Sequence, residues 1–236
     1  MLPLKDDVPN HSFPLVTTVV IVANVAVFLY QLSLDLGPGG APHGAGTAFV
    51  LEFGAVPCRL TGMCPAGDYP APLMTIFTSM FLHGGLLHIT GNMLYLWIFG
   101  DNVEDTLGHL RFLLFYLTSG FGAAAAETVM SPDSRIPMVG ASGAISGVLA
   151  AYLILFPRAS VLTLITFGFF IRFVQVPAVI VLGFWIVVQL ASGIMSYGQT
   201  SGVEGGGGVA WFAHIGGFAT GMVLLFMLRP QRTGRL

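Results

Sequence analysis

The chain reads Pro137-Met138-Val139-Gly140-Ala141-Ser142-Gly143-Ala144-Ile145-Ser146-Gly147-Val148 at the beginning of one of its hydrophobic segments. Ser142 lies among small residues in this stretch. A serine hydroxyl is a weak nucleophile unless a neighbouring base activates it. If Ser142 is a nucleophile, other segments have to supply that base and the hydrogen-bond donors that hold an oxyanion.

The composition is typical of a membrane protein. Hydrophobic residues make up 55% of the 236 residues, and charged residues only 8%. Because soluble domains carry roughly 25% charged residues, most of this surface is expected to face a lipid bilayer. The net charge of -2 and the lack of a basic patch in the sequence argue against nucleic acid as a partner.

Six apolar segments predict an all-α, polytopic membrane protein, because a spanning helix needs about 20 apolar residues. We predict a short cytoplasmic N-terminus at 1–12, a membrane domain at 13–228 and a cytoplasmic tail at 229–236. The first segment shows no clear signal-peptide cleavage site and is interpreted as a span. The predicted helices are about 13–34, 86–105, 110–126, 142–156, 174–195 and 209–228, with the apolar stretch 161–170 leaving the start of the fifth open.

The basic residues predict which side each loop faces. Arg59 and Arg135 are in loops on one side, whereas the termini and the loops on their side hold the other seven of the nine Lys and Arg residues. Since cytoplasmic loops are enriched in basic residues, both termini are expected in the cytoplasm and the long first loop outside. The seven are Lys5, Arg111, Arg158, Arg172, Arg229, Arg232 and Arg235.

Four polar side chains are predicted at a similar depth near the outer side. Ser142 begins the fourth segment and His214 lies near the start of the sixth, and both segments enter from the outer side. His88 and Asn92, in the outer half of the second segment, are four residues apart and therefore share one helix face. Polar groups inside a membrane are costly and are usually functional. Because the topology was argued from other residues, this agreement in depth is independent support for a site.

The fourth segment is short and rich in glycine. A helix from Ser142 to Phe156 would extend about 22 Å, against a hydrocarbon core of about 30 Å, so Ser142 is expected below the outer surface. Small residues four apart let membrane helices approach closely, which a hydrogen bond from Ser142 to His214 requires, although such pairs also serve ordinary helix packing. The two pairs are Gly143 with Gly147 and Gly217 with Gly221.

Taken together, these residues resemble the rhomboid family of intramembrane serine proteases over most of the chain, from about Phe53 to Gly221. Each motif alone is weak, but their combination, in order and in the matching helices, is highly specific. The motifs are GxSG as Gly140-Ala141-Ser142-Gly143, the second-helix pattern His83-Gly84-Gly85-Leu86-Leu87-His88-Ile89-Thr90-Gly91-Asn92, GxxxExxxG as Gly100, Glu104 and Gly108, and Ala213-His214-Ile215-Gly216-Gly217.

The resemblance implies a Ser–His dyad without a carboxylate. Ser142 would be the nucleophile and His214 the general base, while Asn92, His88 and the backbone N–H of Ser142 would hold the oxyanion. The chain departs from some family members in two ways. Ser146 stands where those members carry a tyrosine packed on the catalytic histidine, and the Trp-Arg pair of their first outer loop is missing from this sequence.

The remaining polar residues are interpreted as structural. His83 is expected to hold the first loop against the second segment, with a second functional histidine as the alternative. Glu104 belongs to a polar cap at the cytoplasmic end of that segment.

No metal or other cofactor is expected, because a catalytic zinc needs three protein ligands and no HExxH motif is present. Cys58 and Cys64 lie in the first loop, which is predicted to face an oxidising compartment outside the membrane. The sequence is compatible either with a disulfide between them or with two free thiols.

We therefore expect an intramembrane endopeptidase that cleaves other proteins in or near their transmembrane segments. The predicted location is the bacterial inner (plasma) membrane, with the active site opening to the outer side. A catalytically silent relative that binds transmembrane clients is the main alternative. A transporter would favour charged residues near the bilayer midplane, and a lipid hydrolase would more often carry G-x-S-x-G on a strand–turn–helix.

Overall fold

The structure is a computed structural model that describes residues 1–35, 44–65, 70–167, 170–196 and 209–229. The glycine run at 205–208 and the tail arginines at 232 and 235 lie outside the described residues. The described elements are β1 (Leu2–Asp6), α1 (Leu15–Asp35), α2 (Ala45–Phe53), α3 (Pro57–Leu60), α4 (Pro72–Thr78), a 3-10 turn (Ser79–Phe81), α5 (Leu86–Leu107), α6 (His109–Met130), α7 (Ser142–Leu155), β2 (Ser160–Phe167), β3 (Phe170–Pro177), α8 (Ala178–Ser196) and α9 (Trp211–Leu228).

The helical membrane-protein architecture predicted from the sequence is confirmed. Four described helices, α1, α6, α8 and α9, are long and apolar enough to cross a bilayer. Segment 72–81 and α5 pass the same test as a pair, with a bend of 83° between them. This bend turns the apolar run before His83 away from the axis of α5, so that run does not extend the helix. Each of the six predicted segments overlaps one of these helices or the shorter apolar α7.

Helix α7 is the centre of the bundle. Ten consecutive residues, from Gly143 to Tyr152, are buried, whereas the long helices around it keep one face exposed. A helix that is apolar all round is stable only when protein surrounds it or lipid does, and here α5, α6 and α9 pack against it. The central position explains how a helix of only 14 residues is held within the bundle.

Glycine lets α7 and α9 approach until their backbones touch. A methyl group on Gly217 would overlap the carbonyl of Gly143, and one on Gly221 would overlap the backbone of Gly147. The two glycine pairs therefore meet across a single interface. This contact sets the distance between the first turns of the two helices, where Ser142 and His214 lie.

A small antiparallel sheet, in the order β1–β2–β3, covers the end of the bundle opposite Ser142. The sequence predicts the fifth helix from about 174, but strands occupy 160–167 and 170–177, and α8 begins at Ala178. A short apolar run cannot be assigned to helix or strand by periodicity alone. Pairing with β1, which comes from the distant N-terminus, decides this case: Leu2 lies opposite Leu164.

Glu104 joins the N-terminal segment to the end of α5. Its buried carboxylate accepts hydrogen bonds from the backbone N–H groups of Val16 (2.8 Å) and Thr17 (2.7 Å), and it contacts Nδ1 of His109 at 2.6 Å. The first N–H groups of a helix have no partner within the helix, and an anion there is stabilised by the helix dipole. Glu104 therefore caps α1, as expected of a structural residue.

Substitution Gly221→Ala should lower the thermal stability of the protein. The added methyl group would overlap the backbone of Gly147, and overpacking of this kind costs about 1–3 kcal/mol. The unfolding midpoint in detergent micelles measures the effect. Gly183→Ala in α8 is the matched control, because a methyl group there meets nothing within 4 Å and alanine favours helix. Equal losses in both variants would contradict the close approach of α7 and α9.

The carboxyl of Asp6 should make stability depend on pH. Burial raises the pKa of Asp6 above its ordinary value of 3.8, and the hydrogen bond from the Tyr152 hydroxyl opposes this shift only in part. Because the folded state favours the protonated carboxyl, its contribution to stability is complete below pH 3.8 and is lost as the pH rises through the raised pKa.

The variant Asp6→Asn should therefore gain stability relative to the wild type as the pH rises from the ordinary value toward neutrality. Unfolding midpoints of both proteins over a series of pH values measure this difference. A difference that stays constant across the series would contradict the raised pKa.

Candidate active site

Ser142 and His214 form a hydrogen-bonded pair between two helices. Ser142 is the first residue of α7, and its Oγ lies 2.8 Å from Nε2 of His214, in the first turn of α9. The residues are 72 positions apart in the chain. An imidazole nitrogen within this distance of a serine hydroxyl is placed to accept its proton.

His88 and Asn92 lie beside the backbone that leads into Ser142. Gly140 has a φ of 115°, a conformation that favours glycine. A Cβ at this position would be 2.7 Å from Nε2 of His88 and 3.3 Å from Nδ2 of Asn92. Both side chains thus offer nitrogen atoms close to the start of α7, where the backbone N–H of Ser142 has no acceptor within the helix.

His83 holds Asn92 in this position. Nδ2 of Asn92 donates to Nε2 of His83 at 2.9 Å, and the His83 side chain is fully buried. The backbone of His83 is fixed in turn by the amide of Gln31 in α1, with contacts of 3.0 Å and 3.1 Å. The contacts of His83 therefore run to Asn92, to α1 and to the ring of His88, whose centroid is 5.1 Å away.

The segment before Ser142 is anchored to the first loop. Met138 and Ala55 exchange backbone hydrogen bonds, and the N–H of Gly140 donates to the carbonyl of Ser79 at 2.9 Å. Cys58 and Cys64 form a disulfide in the same loop, a pairing that the sequence leaves open. These contacts satisfy backbone groups of the non-helical segment before Ser142, as non-helical backbone at membrane depth would require.

A cavity of about 40 Å³ reaches Ser142. It is bounded by the turn after α4, by α6, by the segment that precedes α7 and by the start of α9, with Met80, Gly140 and Ala213 among its lining residues. This volume is sufficient to hold water, which a hydrolytic site needs. No cluster of three or more His, Cys, Asp or Glu side chains that would suit a metal ion occurs among the described residues.

Residue 146 does not position the ring of His214. The Ser146 hydroxyl donates instead to the carbonyl of Ser142, four residues earlier in α7, at 2.6 Å. The ring is contacted from α8, where Oε1 of Gln189 lies 2.6 Å from Nδ1 of His214. The indole ring of Trp185 lies 5.9 Å from the imidazole, measured between ring centroids.

Two polar residues at this site are missing from the predictions made on the sequence. Gln189 lies within a strongly apolar segment, and a polar residue in such a segment is a recognisable functional signal. Glu127, near the end of α6, accepts the N–H of Ala213 at 3.1 Å and so holds the first turn of α9, which carries His214. Nothing in the local sequence of Glu127 indicates this distant contact.

Comparison with known proteins identifies a match over most of the chain. The family model described as "Rhomboid domain" matches residues 70–231. RHOMBOID-like protein 1 of Arabidopsis thaliana is 28% identical over 93% of this chain and 55% of its own length. Rhomboid protease GluP of Bacillus subtilis (strain 168) is 38% identical over 84% of this chain and 34% of its own length. The chain thus spans about half or less of the length of these curated relatives.

The variant Gly140→Ala should slow the reaction of Ser142 with a fluorophosphonate probe. The added methyl group would displace His88 and Asn92, and loss of one oxyanion donor costs about 10²-fold in rate. Gly62→Ala is the matched control, because Gly62 also has a positive φ, of 75°, but has open space around it. If both variants react at the wild-type rate, the placement of these two side chains against Gly140 does not matter for reactivity.

Proposed function

Because the chain belongs to the rhomboid family and is an integral, multi-pass membrane protein, we propose that it is an intramembrane serine endopeptidase. The observation that carries the proposal is the distance of 2.8 Å between Oγ of Ser142 and Nε2 of His214. A nucleophile and base at this distance, inside a bundle of apolar helices and next to a cavity, are suited to acyl transfer with water as the final acceptor.

The proposed reaction begins with attack of Ser142 Oγ on the carbonyl carbon of a scissile peptide bond, while Nε2 of His214 takes the hydroxyl proton. The tetrahedral intermediate collapses, the C–N bond breaks, and the imidazolium returns the proton to the leaving amine. Water then enters, His214 removes one of its protons, and attack on the acyl-enzyme releases the carboxylic acid and regenerates Ser142.

Three hydrogen-bond donors are proposed to stabilise the negative charge on the tetrahedral intermediate. The backbone N–H of Ser142 stands at the positive end of the α7 dipole, and the side chains of Asn92 and His88 lie against Gly140. His83 accepts one N–H of the Asn92 amide, so the second N–H of that amide is available for the oxyanion. Preorganised donors in a site of low dielectric are among the strongest contributions to catalysis.

The proposed substrates are transmembrane segments of other proteins. Ser142 starts a buried helix, so the scissile backbone has to leave its own helical hydrogen bonds before it can reach the hydroxyl. Segments that unwind easily should therefore be preferred.

The positive-inside distribution of basic residues supports a site that opens to the outer side, with both termini in the cytoplasm. A bacterial plasma membrane remains a prediction, and the relatives from Arabidopsis thaliana indicate that other membranes also hold such proteins.

The alternative is a catalytically silent rhomboid-like protein that binds transmembrane clients. Such a protein could discard the nucleophile or the base without loss of binding. Here both Ser142 and His214 are present and in contact, and the buried amides of Gln189 and Asn92 bond to ring nitrogens of His214 and His83. This arrangement favours the enzyme.

Substitutions Ser142→Ala and His214→Ala should each abolish cleavage of a model transmembrane substrate in proteoliposomes, since each removes one half of the dyad. Asn92→Ala should slow cleavage by about 10²–10³-fold, the effect of losing one oxyanion donor. Ser33→Ala is the control, because Ser33 is exposed on α1 and its hydroxyl donates to the carbonyl of Tyr30 within the same helix. Cleavage by folded Ser142→Ala protein at the wild-type rate would refute the assignment of the dyad, whereas a wild type that binds the substrate but does not cleave it would support the client-binding alternative.

A further inference from the structure

The side chain of Gln189 is buried in α8, although its two neighbours in the chain are exposed. It is 6% exposed, whereas its neighbours Val188 and Leu190 are 38% and 42% exposed. A buried amide in an apolar setting costs free energy unless it is hydrogen-bonded. The bond that satisfies the carbonyl oxygen of Gln189 runs to the ring of His214.

The direction of this bond decides the tautomer of His214. A carbonyl oxygen only accepts hydrogen bonds, so Oε1 of Gln189, at 2.6 Å from Nδ1, requires the proton on Nδ1. A neutral imidazole carries one proton on its two ring nitrogens. Nε2 therefore presents its lone pair to the Ser142 hydroxyl at 2.8 Å. The opposite tautomer would direct an N–H at Oγ and could not take its proton.

Gln189 also provides a hydrogen-bond acceptor for the positively charged form of His214. When His214 holds two protons during the reaction, both ring N–H groups need acceptors. Nδ1–H keeps Oε1 of Gln189, and Nε2–H faces Oγ of Ser142 or the leaving amine. A neutral amide provides this acceptor without the cost of burying a carboxylate among apolar helices.

Aromatic rings of α8 and α9 also lie against the ring of His214; Trp211 of α9 is 6.3 Å away between centroids. Trp185 and Gln189 are four residues apart and share one face of α8. The centroid of the Trp185 ring is 5.9 Å from that of His214, at an interplanar angle of 40°. These contacts replace the aromatic contact that residue 146 would otherwise make. They also link the state of the base to the docking of α8 against α9.

We propose that Gln189 is a positioning residue for the general base: it holds the Nδ1–H tautomer of His214, so that the lone pair on Nε2 faces the Ser142 hydroxyl. The mechanistic part rests on the proposed peptidase function. The tautomer itself is a property of the resting protein and can be measured without substrate.

The first measurement is the ¹⁵N spectrum of the full chain labelled at histidine, in micelles at a pH where His214 is neutral. Loss of one pair of signals in His214→Ala assigns the ring. The wild type should show a protonated Nδ1 and an unprotonated Nε2. Gln189→Met, which keeps the length but not the acceptor, should show a mixture of tautomers. A wild-type ring protonated on Nε2 would overturn the inference, even if the variant did not fold.

The second measurement separates kcat from KM for a transmembrane substrate. Gln189→Met should lower kcat by about tenfold, the effect of one hydrogen bond, with KM within about twofold. Gln189→Glu restores an acceptor at the same length and should recover most of kcat. Leu190→Met, the control on the outward face of α8, should match the wild type. Unchanged kcat in Gln189→Met would refute the positioning role.

These results are distinguishable from a failure of the proposed function. If the wild type neither cleaves substrate nor reacts with a fluorophosphonate, the peptidase assignment fails, and the ¹⁵N spectrum still tests the tautomer. If the wild type is active and the Gln189 variants behave like it, the peptidase assignment stands and only the role of Gln189 fails.

Discussion

The structure depends on the close approach of α7 and α9. Their backbones touch where Gly143 meets Gly217 and where Gly147 meets Gly221. In a bilayer, helix association relies on close packing and not on the exclusion of water, so glycine is what permits the contact. The same contact brings Ser142 and His214 within hydrogen-bond distance. Stability and site geometry therefore share one interface, and neither can be changed alone.

The second constraint is that buried polar groups must satisfy one another. Gln31 holds His83, His83 holds Asn92, and Asn92 lies at Gly140 beside the Ser142 backbone. A matching series runs from Gln189 through His214 to Ser142. Within a low-dielectric interior, each polar group that lacks a hydrogen-bond partner lowers the stability of the protein. The two series thus converge on Ser142 from opposite sides and restrict it to one arrangement.

Much of this was accessible before the tertiary structure. The apolar segments and the fold class follow from hydropathy and composition, and the similar depth of Ser142, His214, His88 and Asn92 stays a prediction from the topology. The strands at 160–177 were not predicted, because their apolar run has no distinguishing period and pairs with the remote N-terminus. The contacts of Gln189 and Glu127 were also missed, since each partner lies more than 20 residues away on another helix.

The sequence by itself determined the class of the protein, its apolar segments and the polar side chains that are candidates for chemistry, because hydropathy, glycine spacing and residue type are local properties. The tertiary structure alone decided what holds those side chains in place. In the tertiary structure Cys58 and Cys64 form a disulfide, and the Ser146 hydroxyl bonds to the carbonyl of Ser142 within α7. The amide of Gln189 contacts the ring of His214. Such contacts depend on how helices rotate and tilt against each other, and no local pattern records that rotation.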